Sequence, residues 1–360
     1  ASNDRVCTPS EKTHVWDEGR RLEQSASSGW KLWGPYLSER QWGTVREDYS
    51  PGGTAWDSFS HDAARSRAYR WGEDGIMGIS DEQQTLCFAL GLWNGRDPIL
   101  KERLFGLTNS EGNHGEDVKE AYYYLDATPT HSYLKGLYKY PQQQFPYAQL
   151  VEENRRRGKE EPEFELVDSG VFESHRYFDV VTEYAKQSPS DILIRVTVHN
   201  RAPESAVLHV LPQLWFRNTW SWGYSIRKPE LTLEGDVAVA TSELGSYRLY
   251  RDGDAPWLFT DNETNGRRLF RVSGQAGYFK VAFHEFVVDQ NSSAVNPNRR
   301  GTKTAAHYRL EVPAGGRAVV RLRLSGDTHV DPFASFDTVI ERRRRESDDF
   351  YDRLQKGLCD

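Results

Sequence analysis

A chain of 360 residues is long enough for two average domains or one large β architecture, and a net charge of −7 argues against a nucleic-acid-binding protein. Hydrophobic residues make up only 37%, yet aromatics reach 12%, with 11 Trp and 18 Tyr, so large rings can both build a core and line a binding face. No stretch approaches a membrane span or a signal-peptide core, and three widely spaced cysteines (Cys7, Cys87, Cys359) imply no disulfide framework, so a cytoplasmic location is expected.

Residues 1–80 read as polar, aromatic and irregular, with one short helix around Trp16 to Ser28. From Thr85 onward β signals dominate. Leu86 to Trp93, then Asn94-Gly95-Arg96-Asp97, then Ile99 to Leu107 predicts strand, turn, strand. Lys119 to Asp126 and Thr130 to Tyr140 follow as strands. Between Gln143 and Phe164 the chain turns charged, bounded by Pro146 and Pro162, which predicts a long loop or a solvent-exposed excursion. Asp191 to Val198 places Ile192, Ile194, Val196 and Val198 on one face, the period-two pattern of a half-buried strand. Val207 to Phe216, Val237 to Ala240, Tyr247 to Tyr250, Tyr278 to Val288, Ala305 to Val312 and Ala318 to Leu324 are expected to be strands too. Many strands joined by turns, without interleaved helices, predict antiparallel sheets packed as a sandwich. From Phe333 to Leu354 the apolar residues recur at helical intervals, which predicts one amphipathic helix that packs on the sandwich or leads into a further helical domain.

The basic runs Arg155-Arg156-Arg157 and Arg342 to Arg345 are flanked by acids and read as solvated charge. Cys87 sits in an apolar run, as a buried small hydrophobe would. Asn262-Glu-Thr264 and Asn291-Ser-Ser293 match glycosylation sequons, a short pattern that often arises by chance. His114-Gly-Glu-Asp117 has no second His or Cys at ligand spacing, so no metal and no cofactor is expected.

The segment richest in chemistry is Trp30 to Asp81. Trp33-Gly-Pro-Tyr-Leu-Ser-Glu-Arg-Gln-Trp-Gly-Thr-Val-Arg-Glu-Asp-Tyr49 and Arg70-Trp-Gly-Glu-Asp-Gly75 interleave flat rings with Arg, Glu and Asp. Rings stack on the apolar faces of pyranoses while charged groups pair with hydroxyls; the same composition also describes a loop packed by its own aromatics. Inverting hydrolysis needs two carboxyls about 6.5–9.5 Å apart. Glu47, Asp48, Glu73 and Asp74 are the leading carboxylates; adjacent Glu47 and Asp48 point to opposite sides of an extended segment, which leaves a cross-pair such as Asp48 with Glu73. Neighbouring Arg46 and Arg70 would hold such carboxylates ionised, which is poor for a general acid.

These stretches, with Leu100-Lys-Glu-Arg-Leu-Phe-Gly106, Asn113 to Lys119, Thr130 to Tyr133, Leu214 to Gly223 and Gly301 to Tyr308, resemble the opening part of glycoside hydrolase family 63-like proteins, relatives of mannosyl-oligosaccharide glucosidase. The resemblance implies an amino-terminal β-sandwich followed by an (α/α)6 barrel that carries the catalytic Asp and Glu beyond residue 360. No catalytic residue is therefore expected in this chain. The implied layout is an irregular aromatic segment over 1–80, a β-sandwich over 81–330 and a linker helix over 331–360. Trp42, Arg46, Glu47, Asp48, Trp71, Glu73 and Asp74 are the expected substrate-rim or domain-contact residues. Expected partners are an oligosaccharide and the barrel of the same parent chain, with no nucleic acid and no membrane. A stand-alone carbohydrate-binding or protein-interaction module is the alternative.

Overall fold

The structure is a computed structural model that describes residues 17–41, 50, 52, 59–107, 111, 117–225 and 227–356. Two antiparallel sheets face each other. The first has seven strands: β1 (Trp33–Tyr36), β2 (Ile76–Asp81), β3 (Leu86–Trp93), β10 (Ala206–Phe216), β16 (Lys303–Ala306) and β14 (Trp257–Thr260) in that order, with β17 (Tyr308–Val312) also paired to β10. The second has nine, ordered β15 (Arg300–Gly301), β11 (Glu230–Glu234), β12 (Val237–Ser242), β13 (Gly245–Arg251), β18 (Arg317–Ser325), β9 (Asp191–Asn200), β8 (Tyr177–Ser188), β7 (Tyr133–Pro141) and β6 (Tyr122–Ala127). β4 (Gly106–Leu107) and β5 (Asp117–Val118) form a small separate ribbon.

Alternation builds the core. Ile192, Ile194, Val196 and Val198 all point inward, as their spacing predicts, and meet Phe88, Leu90, Leu92, Val210 and Leu214 from the opposite sheet. β3 is apolar throughout because its other face is covered as well: Cys87 and Ala89 pack with Leu37 and Trp215. The Phe336–Gln355 helix lies on the outer face of the nine-stranded sheet, burying Phe336, Val339 and Ile340 against Tyr133, Ala185 and Leu193. Two polar clasps fix it there. Arg343 donates to the Lys186 carbonyl, and Arg21 pairs with Glu346 at 2.6 Å. Arg343 is thus buried, while the rest of its basic run is solvated.

Several expected elements differ. Ile99 to Leu107 is not a strand over its length; it makes one bridge at Lys101 and the short β4, because Lys101, Glu102 and Arg103 are drawn inward by ion pairing. The charged 143–164 stretch contains a helix, Tyr147–Arg156, whose Leu150 and Asn154 are buried one turn apart. Tyr278 to Val288 holds a helix, Ala282–Val287, in place of a strand: Phe283 and Val287 lie four residues apart on the side facing Leu211 and Leu258. β1, β2, β8, β11 and β14 went unread in the sequence. Asn262 is fully buried, so its sequon has no accessible side chain.

Gly301 gives a first test. A methyl group there would overlap the Thr260 carbonyl, a backbone atom that cannot swing away. Gly301→Ala is expected to cost roughly 1–3 kcal/mol, the usual penalty of overpacking. Urea unfolding would read it, and a loss below about 0.5 kcal/mol, the range of an ordinary surface change, would show that β14 and β15 part freely.

Candidate functional site

The outer face of the seven-stranded sheet carries the site. Backbone register aligns Ser80, Cys87, Trp215, Lys303 and Thr260 in one row across β2, β3, β10, β16 and β14. Ala89, Gln213 and Ala305 form the next row. Small residues on β3 leave a hollow in this face, and three covering segments fill it with charge. The chain before β2 brings Glu73 and Asp74, the chain after β3 brings Glu102 and Arg103, and the segment before the Ala282–Val287 helix brings Lys280. Gly75 lets the first segment approach, since a Cβ there would overlap the Ala89 methyl.

Most of these side chains pair with one another, although among the described residues the buried Nε and Nη1 of Arg103 have no hydrogen-bond partner and its nearest approach to Asp74 is 3.6 Å. Glu102 accepts from Lys303 at 2.9 Å and from Gln213 at 3.0 Å. Glu73 accepts from Asn262 at 2.8 Å, and Tyr69 donates to Asp74 at 3.0 Å. Lys280 donates to the Arg67 carbonyl at 3.0 Å and sits 3.5 Å above the Tyr69 ring. Burial alone would raise the Glu102 carboxyl, but Lys303 and Arg103 beside it hold it down to about 2. Burial raises Glu73, with Lys280 opposing, and it lowers the Lys280 ammonium to about 7, with Arg103 adding to the effect. Three acids (Glu73, Asp74, Glu102) meet three bases (Arg103, Lys280, Lys303), and the void between them is about 10 Å³. That space suits roughly one water and no sugar ring.

Glu73 and Asp74 are thus 1% and 4% exposed. They belong to a charge-balanced ion network beneath the surface and do not stand at an open rim. Asp48, the other half of the fallback catalytic pair, lies outside the described residues, as do Trp42, Arg46, Glu47 and most of the His114 motif. Arg70 donates from Nε to the Tyr224 hydroxyl at 2.9 Å. Among the described residues, no group of three or more His, Cys, Asp or Glu is gathered for a metal ion. Burial pushes the Cys87 thiol well up, so it is no nucleophile.

Two residues before Glu73 the chain reaches the surface, and there the arrangement is different. Trp71 is 55% exposed and Tyr224 is 50% exposed. Their rings lie 5.6 Å apart and 33° from parallel, with the Arg70 guanidinium 4.9 Å from the indole centroid. Arg217 fixes the supporting backbone by donating to the carbonyls of Gln84 and Arg70. Tyr224 follows the Trp220–Trp222 turn and Gly223, whose φ of 76° closes it. Trp220 is held by Glu263 at 2.8 Å, so it is structural, and Trp215 is buried beneath the network. A tilted pair of half-exposed rings with a pinned cation is what the apolar face and hydroxyl edge of a pyranose can use. Of the anticipated residues, Trp71 occupies this platform. Tyr224 was missed, because nothing local links it to a residue 153 positions earlier.

No protein-family profile matches the chain. An uncharacterized protein of Saccharomyces cerevisiae is 41% identical over 389 aligned residues, covering 94% of this chain. The chain spans 36% of that relative's length. Among solved structures, a galactose mutarotase related enzyme of Lactobacillus acidophilus aligns with a TM-score of 0.26 at 8% identity, covering 71% of this chain and 91% of its own. A family GH92 inverting mannosidase of Bacteroides thetaiotaomicron aligns at 0.20 and 10%, covering 78% and 32%. At these scores neither likeness bears on the site.

Proposed function

We propose that this chain is the sugar-contacting accessory β-sandwich of an inverting glycoside hydrolase acting on α-glucosides or related α-glycosides, one that braces an (α/α)6 barrel and contributes to its substrate rim. The Trp71–Tyr224 platform carries the proposal: it is an exposed, pre-oriented pair of rings held by Arg70. The family 63-like motifs of the sequence support the same direction. The chain alone is expected to bind sugar without cleaving it, because Glu73 is sealed in the ion network.

Titration of the 360-residue chain with maltotriose, followed by Trp fluorescence and by hydrolysis in the same tubes, tests this. Saturable binding without turnover is expected. Trp71→Ala should weaken it by roughly 1–2 kcal/mol, the worth of a stacked and partly buried ring. Turnover that is lost in Glu73→Gln would instead place catalysis within this chain.

A bracing role alone has its own support in β6. This edge strand of the nine-stranded sheet leaves Tyr123 and Leu125 half-exposed, while Tyr124 packs on the Tyr36 ring, an edge suited to contact with another domain. Absence of any sugar binding would favour it.

A further inference from the structure

The opposite end of the sandwich holds a second open groove, of about 600 Å³, within the range of about 300–1,000 Å³ typical of small-ligand clefts. β3 separates the two places. Its first residue pairs with Phe216 on the Trp71 side and its last runs into Asn94 at the groove, roughly 25 Å away for an eight-residue strand.

Its walls are fixed from beneath by two buried asparagines. Asn94 donates to the Pro141 and Gln143 carbonyls and accepts from the Arg96 and Asp97 amides, so it sets the position of both Arg96 and Gln143. Asn200 donates to the Glu204 carbonyl at 2.7 Å. Glu204 and Arg176 then lock together in a two-pronged ion pair. The facing segment reaches the groove through Ser174, which with the next residue, His175, holds φ of 57° and 56°, a left-handed conformation that costs non-glycine residues energy.

What lines this cleft defines its ligand. Two cations, Arg96 and Arg176, are matched by two anions, Glu173 and Glu204, so the groove selects for neither charge. Among the described residues, the side chains of Arg96, Gln143, Glu173 and Ser205 are exposed and have no protein hydrogen-bond or ion-pair partner. They offer donors and acceptors beside the partly exposed Ala206 and Val207. A neutral molecule with vicinal hydroxyls on one edge and C–H groups on its face meets those demands; a phosphate or a lipid chain does not. We propose that this groove is a second saccharide site, taking one or two pyranose units independently of the Trp71 platform.

The test uses the whole chain carrying Trp71→Ala and Tyr224→Ala together, probed with maltose by two-dimensional NMR. Weak binding is expected to persist, with shifts at Arg96, Gln143 and Ser205. Adding Arg96→Ala and Glu173→Ala should weaken that binding at least tenfold while leaving the melting temperature unchanged, since both side chains are exposed and unpaired. Loss of all maltose binding in the platform variant alone would overturn the second site and leave the platform intact. Shifts that survive the groove substitutions would overturn it too. Wild-type binding that ignores the platform changes and vanishes with the groove changes would uphold the groove and remove the platform.

Discussion

Glu102→Ala is expected to destabilise the fold by about 3–5 kcal/mol, the cost of removing one partner from a buried charge pair. Glu102 is 7% exposed and Lys303 is 4% exposed. Without the carboxylate, the Lys303 ammonium loses its ion pair, keeping the faces of Phe283 and Trp215, 5.1 and 5.8 Å away, and the attraction of Glu73, and the Gln213 amide loses its acceptor. The penalty arises from stranding a charge; the intact pair need not be worth that much, because desolvation offsets its attraction. A paired replacement, Glu102→Leu with Lys303→Met, should therefore recover most of the loss. Urea unfolding of the single and double variants separates the two effects. A single-variant loss below about 1 kcal/mol, the worth of an exposed pair, would mean that water reaches Lys303 and the network is not sealed.

Mild acid is expected to destabilise the chain through its histidines. Burial lowers His131, His209 and His284 each to about 4; Lys186, His307 and Arg65 respectively add to the effect. Burial also carries His61 well below its usual value, with Lys101 next. Above about pH 6.5 these rings are neutral in both folded and unfolded chains, and their contribution is fully present. As pH falls from 6.5 towards 4 the unfolded chain takes up protons that the folded chain refuses, so stability drops. Glu73, Asp97 and Glu120, raised by burial, act with the opposite sign over the lower part of that range. The histidine effect is therefore clearest between pH 7 and 5.5. A falling melting temperature is expected there, with the three rings still neutral by NMR at pH 5.5. Rings that titrate near 6.5 in the folded chain would refute this.

Much of the sandwich was legible because alternation reports burial directly. Ile192 to Val198 gave both the strand and the face. Where apolar runs were ambiguous, the sequence misled: Phe283 to Val288 carries large residues on every side, as a strand buried on both faces would, yet Phe283 and Val287 pack one helical turn apart. Lys101, Glu102 and Arg103 interrupt a stretch whose Leu100, Leu104 and Phe105 are buried, and a charge inside such a stretch was the available sign of an inward ion pair. For the site, Trp71 stood out as an aromatic among charges. Glu73 and Asp74 read as surface acids because their partners Lys280, Arg103 and Asn262 come from distant segments, and pairing of that kind leaves no local trace in a single sequence.

The most direct measurement is a crystal structure of the 360-residue chain with maltotriose. A pyranose ring packed face-on against the Trp71 indole at about 4 Å, with a hydroxyl on Arg70, is the expected result. Sugar found only elsewhere on the chain, or an indole face that the protein itself covers, would contradict the assignment of the Trp71–Tyr224 platform as a sugar-contacting surface.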